Sequence, residues 1–206
     1  MSCCPRRRGE IRIGVLGDTH IPHRLRDLPS EIQGLLQGVD LIFHTGDLVA
    51  PSVLDRLSDL APVTAVRGNI HLSDLARDRD ELRRVEHLSL MGHDVILTHG
   101  DGTFLKGSWE RLRYWVSGDR REVNERIVVM LAEAYPNADC VVFGHSHRAY
   151  RRSVGDTLFF NPGAICPTPG EVASVGQLEI REGGIRARLI NLDGREIDPP
   201  PTSVER

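Results

Sequence analysis

The sequence predicts an α/β protein in which strands and helices alternate and the chemistry collects at strand ends. Three observations carry that expectation. Short apolar runs alternate with segments whose apolar residues recur at helical spacing. Five Gly-flanked polar clusters sit nearly all just after apolar runs: GDTH at 17–20, TGD at 45–47, GNIH at 68–71, THG at 98–100 and GHSH at 144–147. The length, 206 residues, suits one well-buried domain and is short for two. A single domain over residues 11–192 is therefore expected, with 1–10 and 198–206 as flexible tails.

Ile11 to Leu16 is an apolar run that stops at Gly17 and reads as a buried strand delivering Asp18 and His20 to its carboxyl end. A helix is expected from Ser30, a suitable N-cap. Glu31 favours the first turn through the helix dipole, and Ile32, Leu35 and Leu36 give one apolar face. Val39 to Phe43 is a second buried strand, running into His44, Thr45, Gly46 and Asp47. Pro51 to Leu60 reads as the next helix, with Val53, Leu54, Leu57 and Leu60 at helical spacing and Pro51 tolerated in the first turn. Val63 to Val66 is a third strand that ends at Arg67, Gly68 and Asn69. This alternation predicts a mostly parallel sheet with ligands gathered at the carboxyl ends of its strands.

The second half repeats the pattern with one interruption. Val85 to Leu90 alternates, Gly92-His93-Asp94 has the composition of a hairpin turn, and Val95 to Thr98 is a strand ending on His99. Lys106 to Asn137 turns helical in composition, with Arg126 to Tyr135 the best-defined part and Pro136-Asn137 its stop. Trp109, Tyr114 and Trp115 read as core packing, a lid beside a site being the alternative. Cys140 to Phe143 is a further buried strand, delivering Gly144, His145, Ser146 and His147. Thr157 to Phe160, Val175 to Ile180 and Ile185 to Ile190 read as antiparallel strands, the last two joined by Glu182-Gly183-Gly184.

Composition removes several function classes. Hydrophobic residues make up 40% and charged ones 27%, and no apolar stretch approaches the roughly 18 residues needed to cross a bilayer, so no membrane role is expected. The basic start lacks an apolar segment of secretory length, since Arg12 interrupts the first run, and a cytoplasmic location is expected. Cys3, Cys4, Cys140 and Cys166 show no C-x-x-C spacing, which speaks against a disulfide framework or structural zinc; Cys140 reads as a small core residue. A net charge of -3 and a pI near 6.3 argue against an extensive nucleic-acid surface. The clustered arginines, Arg148, Arg151 and Arg152 among them, read as solvated residues paired with neighbouring acids, the alternative being that one or two steer a phosphate into a cleft.

Seven residues in the polar clusters are candidate metal ligands: Asp18, His20, Asp47, Asn69, His99, His145 and His147. Seven donors are too many for one ion that must also keep a position open for substrate. They suit two ions sharing a bridging carboxylate, the chemistry of phosphoester hydrolysis. A mixed oxygen and nitrogen set without thiolate suits two divalent transition metal ions, Mn²⁺, Fe²⁺, Zn²⁺, Ni²⁺ or Co²⁺, and leaves their identity open; Mn²⁺ is the expected choice.

Taken in order, GDTH, TGD, GN, THG and GHSH resemble the signature of the calcineurin-like metallophosphoesterases. The size and the NPG loop at Asn161 to Gly163 make the chain similar to the small prokaryotic phosphodiesterases of the YfcE and Vps29-like branch, over about residues 11 to 192. The resemblance implies a four-layer α/β/β/α sandwich with a dinuclear site at the carboxyl ends of the strands. Carried over position by position, it implies that Asp18, His20 and His147 hold one ion, that Asn69, His99 and His145 hold the other, and that Asp47 bridges both. A water between the ions, with its pKa lowered from about 15.7 to about 7 in the best zinc case, is then expected to attack phosphorus in line. The implied function is hydrolysis of a small phosphodiester, a nucleotide among the candidates, by a chain free to form a homo-oligomer. A phosphomonoesterase is the alternative enzyme. A non-catalytic Vps29-like scaffold is the alternative of another class, and it usually goes with eroded ligands, whereas all seven are present here.

The chain departs from the family pattern at particular places. Ile70 stands where many members carry His after the motif asparagine, and His71 stands where the branch commonly has an acid. His71 is accordingly expected, beside Asp47, to take part in catalysis by supplying or positioning a proton for the leaving oxygen, a merely surface histidine being the alternative. Asp101 replaces a His common in the branch, and Thr168 and Gly170 stand where an Arg often follows the NPG loop. Among the other histidines, His44 reads as a partner that orients a ligand, His87 and His93 as solvent-exposed, and His23 as lying near the first cluster. Gly163 is expected to supply a positive φ, and Asn161 to cap a loop beside the site.

Overall fold

The computed structural model describes residues 9–48, 50–69, 82–101 and 123–199. His71, the stretch from Trp109 to Trp115 and the two extreme chain ends lie outside the described residues. One sheet contains β1 (Ile11–Leu16), β2 (Leu41–His44), β3 (Val63–Ala65), β9 (Ser174–Arg181), β10 (Gly184–Asn191) and β11 (Glu196–Ile197), in the order β11-β10-β9-β1-β2-β3. The other contains β4 (Val85–Leu90), β5 (His93–Thr98), β6 (Cys140–Val142), β7 (Ala149–Val154) and β8 (Thr157–Pro162), in the order β4-β5-β6-β8-β7. Helices α1 (Glu31–Leu35) and α2 (Pro51–Ser58) follow β1 and β2, and α3 (Val123–Ala134) precedes β6.

Alternation along the strands sorts the apolar side chains into three layers of core. Val15 faces inward and Leu16 outward; Val95 and Leu97 face inward and Ile96 outward; Cys140 and Val142 face inward and Val141 outward. Between the sheets, Ile13, Val15 and Phe43 meet Val95, Leu97, Val142 and Phe160. On the outer face of the first sheet, Ile32 and Leu36 together with Val53, Leu54 and Leu57 of α2 cover Leu16, Ile42 and Ala65. On the outer face of the second, Ile127, Val128 and Leu131 of α3 cover Ile96, Val141 and Phe159. Helix, sheet, sheet, helix is the α/β/β/α sandwich expected. Because the central strands are covered on both faces, they read as unbroken apolar runs.

The expectation of a mostly parallel sheet is corrected. Each sheet is mixed: β1 pairs in parallel with β2 and β2 with β3, but β9 joins β1 antiparallel, with Leu178 opposite Ile13. The second sheet sets the parallel pairs β5/β6 and β6/β8 between two antiparallel hairpin pairings, β4/β5 and β7/β8. The expectation rested on the strand-helix alternation of the first half, which the final third of the chain does not continue. β7 escaped the sequence reading because it is an edge strand whose outer half is exposed and polar. α3 begins three residues before Arg126, and α2 stops at Ser58 rather than Leu60.

His93 is a second correction. The hairpin turn is Met91-Gly92, both left-handed with φ 51 and 83, as a two-residue loop between twisted strands requires. His93 therefore starts β5, and its Nε2 lies 2.9 Å from the Arg181 carbonyl oxygen on the opposite sheet. Its side chain is 17% exposed, with Asp139 on its other nitrogen side at 3.6 Å. His87 is exposed, as expected, and Cys140 is fully buried. Ser30 occupies the N-cap of α1 but turns its hydroxyl to Glu31 instead of the helix backbone. No helix among the described residues is long and apolar enough to cross a membrane.

One glycine in α1 gives a direct stability test. Gly34 is exposed, inside the helix, with nothing within 4 Å of where a methyl would sit. Gly34→Ala is expected to stabilise the protein by about 0.5–1 kcal/mol, read as a higher urea midpoint at unchanged m-value.

Candidate metal centre

The two sheets present their polar loops at one rim. In the first, Leu16 lies opposite His44 and His44 opposite Ala65, so the clusters after β1, β2 and β3 leave side by side. In the second, Leu97 lies opposite Val142, which sends the clusters after β5 and β6 out together. Backbone bonds tie the loops in pairs: Asp18 N–H donates to the Gly46 carbonyl at 3.1 Å, His20 N–H to the Asp47 carbonyl at 3.3 Å, and Gly144 N–H to the His99 carbonyl at 3.1 Å. Across the sheets, the His99 ring nitrogen Nδ1 is 2.8 Å from the Thr45 carbonyl oxygen.

Strain marks the same loops. Asp18, His20, Asp47, His145 and His147 all hold left-handed backbone, with φ of 50, 48, 53, 70 and 59. At roughly 1 kcal/mol or more apiece, such residues cost a sizeable part of the 5–15 kcal/mol by which a domain is stable. Five of the seven candidate ligands carry this cost, and among the described non-glycine residues only Met91 shares it. Asp18, Asp47 and His145 each follow a glycine, which lets the chain turn sharply into the strained residue.

The side chains converge in two groups around Asp47. In one, His20 Nε2 lies 3.0 Å from His147 Nε2 and 3.4 Å from Asp47 Oδ2, while His147 Nε2 lies 3.6 Å from Asp18 Oδ1. Donor atoms of these four residues fall within 4.8 Å of one another, and all four are buried. In the other, His99 Nε2 lies 3.5 Å from Asp47 Oδ1 and 3.3 Å from His145 Nδ1, which in turn is 2.9 Å from the Asn69 amide nitrogen. All seven predicted residues are thus brought together; His71 lies outside the described residues.

The donor chemistry fits divalent cations. His147 Nδ1 is 3.0 Å from the Cys166 carbonyl and His99 Nδ1 is 2.8 Å from that of Thr45; a carbonyl accepts only, so each Nδ1 carries the proton and each Nε2 offers its lone pair to the site. Both Asp18 carboxylate oxygens are buried without a hydrogen-bond partner among the described residues. Facing imidazole lone pairs and a buried carboxylate form a cluster of acceptors that positive charge would satisfy.

Burial dominates the electrostatics. It pushes the Asp18 carboxyl up to about 6 against the pull of His99 and His147, and pushes His20 down to about 4 and His44 down to about 3 against the opposing pull of Asp47. Between about pH 6 and 4 the unfolded chain holds protons on His20 and His44 that the folded chain refuses, while the folded chain holds one on Asp18. The unfolded state thus binds more protons in that window, so the balance of these groups lowers stability as the pH falls from about 6 to 4, the two histidines outweighing the opposite effect of Asp18. Urea unfolding in chelator at pH 7 and pH 5 measures it.

Beneath the candidate ligands lies a layer that sequence reading resolved only in part. His44 accepts the Gly46 N–H on Nδ1 at 3.2 Å, in keeping with an orienting role, and its Nε2 faces Thr19 Oγ1 at 3.5 Å. Asn161 accepts the Gly163 N–H at 2.9 Å and donates to the Gly144 carbonyl at 2.9 Å, with Gly163 at φ 81, so the NPG loop holds the GHSH loop as expected. Thr19, Ser146 and the Cys166 carbonyl were missed. Ser146 was legible as the residue between two candidate ligands; a backbone carbonyl nineteen positions downstream of His147 leaves no mark in sequence.

Comparison with known proteins gives a consistent result. The model of the calcineurin-like phosphoesterase superfamily domain matches residues 11–183. A probable metallophosphoesterase of Methanocaldococcus jannaschii is 30% identical over 90% of this chain and 83% of its own length. A phosphodiesterase of the same organism is 24% identical over 82% of this chain and 93% of its own length. Among solved structures, Vps29 of Chaetomium thermophilum superposes with a TM-score of 0.68 at 18% identity, covering 91% of this chain and 92% of its own.

Proposed function

Because the chain belongs to the calcineurin-like phosphoesterase superfamily, we propose that it is a phosphodiesterase working with two divalent metal ions. One observation carries this reading: the two oxygens of Asp47 face different halves of the cluster, Oδ2 toward His20 and Oδ1 toward His99. Asp18, His20 and His147 would hold one ion and Asn69, His99 and His145 the other, with Asp47 available to both. Bound there, divalent ions supply positive charge to the phosphoryl oxygens and an acidified water as nucleophile.

The protein's own residues do the rest. The Thr45 and Cys166 carbonyls keep His99 and His147 in the tautomer that offers Nε2 inward. Asp47 adds negative charge between the halves, offsetting repulsion between two dications. Asn69 contributes its amide oxygen, which half a turn about its Cβ–Cγ bond exchanges for the nitrogen now beside His145. His71 gives a proton to the leaving oxygen, so His71→Ala is expected to lower turnover of poor leaving groups more than of good ones and to remove one limb of the pH–rate profile. Mn²⁺ is the proposed metal, a small phosphodiester such as a nucleotide the substrate, and the cytoplasm the site of action.

The choice of diester leans on the similar archaeal phosphodiesterase. Hydrolysis of a bis-aryl and a mono-aryl phosphate in Mn²⁺ tests it: faster turnover of the diester is expected. Preference for the monoester makes the protein a phosphomonoesterase. Turnover of neither, with any of Mn²⁺, Zn²⁺, Fe²⁺, Ni²⁺ or Co²⁺, leaves a scaffold of the Vps29 kind, a reading that the intact seven-donor set speaks against.

A further inference from the structure

α3 buries one face through residues 124, 127, 128 and 131, the i, i+3, i+4, i+7 spacing of a core-facing stripe. Ile127, Val128 and Leu131 join the cluster containing Phe143 and Phe159, but the first member is Asn124, only 5% exposed. A buried amide on an apolar stripe is costly unless its atoms are bonded. Both are bonded, and to the same loop. Oδ1 accepts from Ser146 Oγ at 2.6 Å, and Nδ2 donates to the Arg148 carbonyl at 3.2 Å.

With its proton given to Asn124, Ser146 Oγ is left as an acceptor, and it receives Asn161 Nδ2 at 3.1 Å and the Arg148 N–H at 3.2 Å. Asn161 also holds the Gly144 carbonyl at 2.9 Å. Positions 144, 146 and 148 are therefore gripped, and the strained residues His145 and His147 sit between them at φ 70 and 59. His145 faces His99 and Asn69; His147 faces His20 and Asp18. A single clamp thus controls one imidazole in each half of the centre.

We propose that Asn124 is a positioning residue of the metal centre, its amide holding Ser146 and Arg148 so that His145 and His147 stay aimed at the two halves. This rests on the two-ion reading above. Without the amide, Ser146 Oγ and the Arg148 carbonyl lose their hydrogen bonds to α3, and relaxation of the two left-handed residues turns both imidazoles away from their partners.

Asn124→Leu is the decisive variant. Leucine branches at Cγ as asparagine does, though it is bulkier, and it continues the apolar stripe, so α3 keeps an apolar contact while the clamp is lost. Asn124→Asp keeps an acceptor for the Ser146 hydroxyl and loses the donor to Arg148. Mn²⁺ is titrated calorimetrically into the metal-free full chain, with thermal unfolding in chelator as the control on folding. The Leu variant is expected to bind Mn²⁺ about 10–100-fold more weakly, the usual consequence of removing a group that orients a ligand, while still unfolding cooperatively in chelator. The Asp variant is expected to recover part of the loss. Parental Mn²⁺ affinity in the Leu variant overturns the proposal whatever its unfolding temperature. If that variant does not fold, parental affinity in the Asp variant together with parental affinity in Ser146→Ala does the same. Stoichiometry separates this from the two-ion reading. One ion in the parent, bound more weakly by the variant, leaves the clamp standing and removes the second ion; no ion in the parent removes both.

Discussion

Asp47→Asn is expected to abolish turnover, by about 10²–10³-fold or more, the scale on which a single preorganised electrostatic contact contributes, while leaving the fold intact. Asp47 is almost fully buried, and its two oxygens reach toward His20 on one side and His99 on the other. Asparagine fills the same space but removes the negative charge common to both halves. Its amide also points an N–H at one imidazole lone pair. The metal-free variant should be no less stable at neutral pH, because the Asp47 charge pushes the buried Asp18 carboxyl upward and that repulsion disappears. Loss of activity with an unchanged unfolding temperature in chelator is the expected pair of results, and loss of both would place Asp47 in the scaffold instead.

Gly68→Ala is expected to fail in the opposite manner, losing fold stability and activity together. A methyl on Gly68 would fall inside the envelope of the Asp47 backbone nitrogen and of its Oδ1, with the Asp47 Cα at 2.9 Å. Two of these atoms are backbone and cannot swing aside, so the Asp47 loop must move. Overpacking of this kind costs about 1–3 kcal/mol, and the displaced carboxylate no longer faces both His20 and His99. Gly34→Ala in α1, where the space is open, is the matched control. Equal stability of the two alanine variants by urea unfolding would show that the close approach of Gly68 to Asp47 is not a constraint.

Much of the site was legible because its chemistry sits where apolar runs stop. Leu16, Phe43, Leu97 and Phe143 each end or closely follow a buried run and lead within a few residues to Asp18, Asp47, His99 and His145. The layers were legible through family resemblance, since composition alone does not say that two sheets stack. Pairings set by distant parts of the chain were not legible. Leu178 lies opposite Ile13 antiparallel, and His93 reaches Arg181 on the other sheet, neither of which leaves a local signal. Asn124 was invisible for a related reason: one asparagine in a helical stretch has no spacing to betray it, and only its burial on the stripe of Ile127 and Leu131 gives it meaning. The left-handed backbone at five candidate ligands was half-written in the sequence, in the glycines before Asp18, Asp47 and His145.

The proposed pair of ions is tested most directly by anomalous diffraction from crystals of the full chain grown in Mn²⁺. Two peaks about 3.5–4 Å apart are expected, one beside Asp47 Oδ2 with Asp18, His20 and His147, the other beside Asp47 Oδ1 with Asn69, His99 and His145. A single peak, or peaks that Asp47 does not touch, would contradict it.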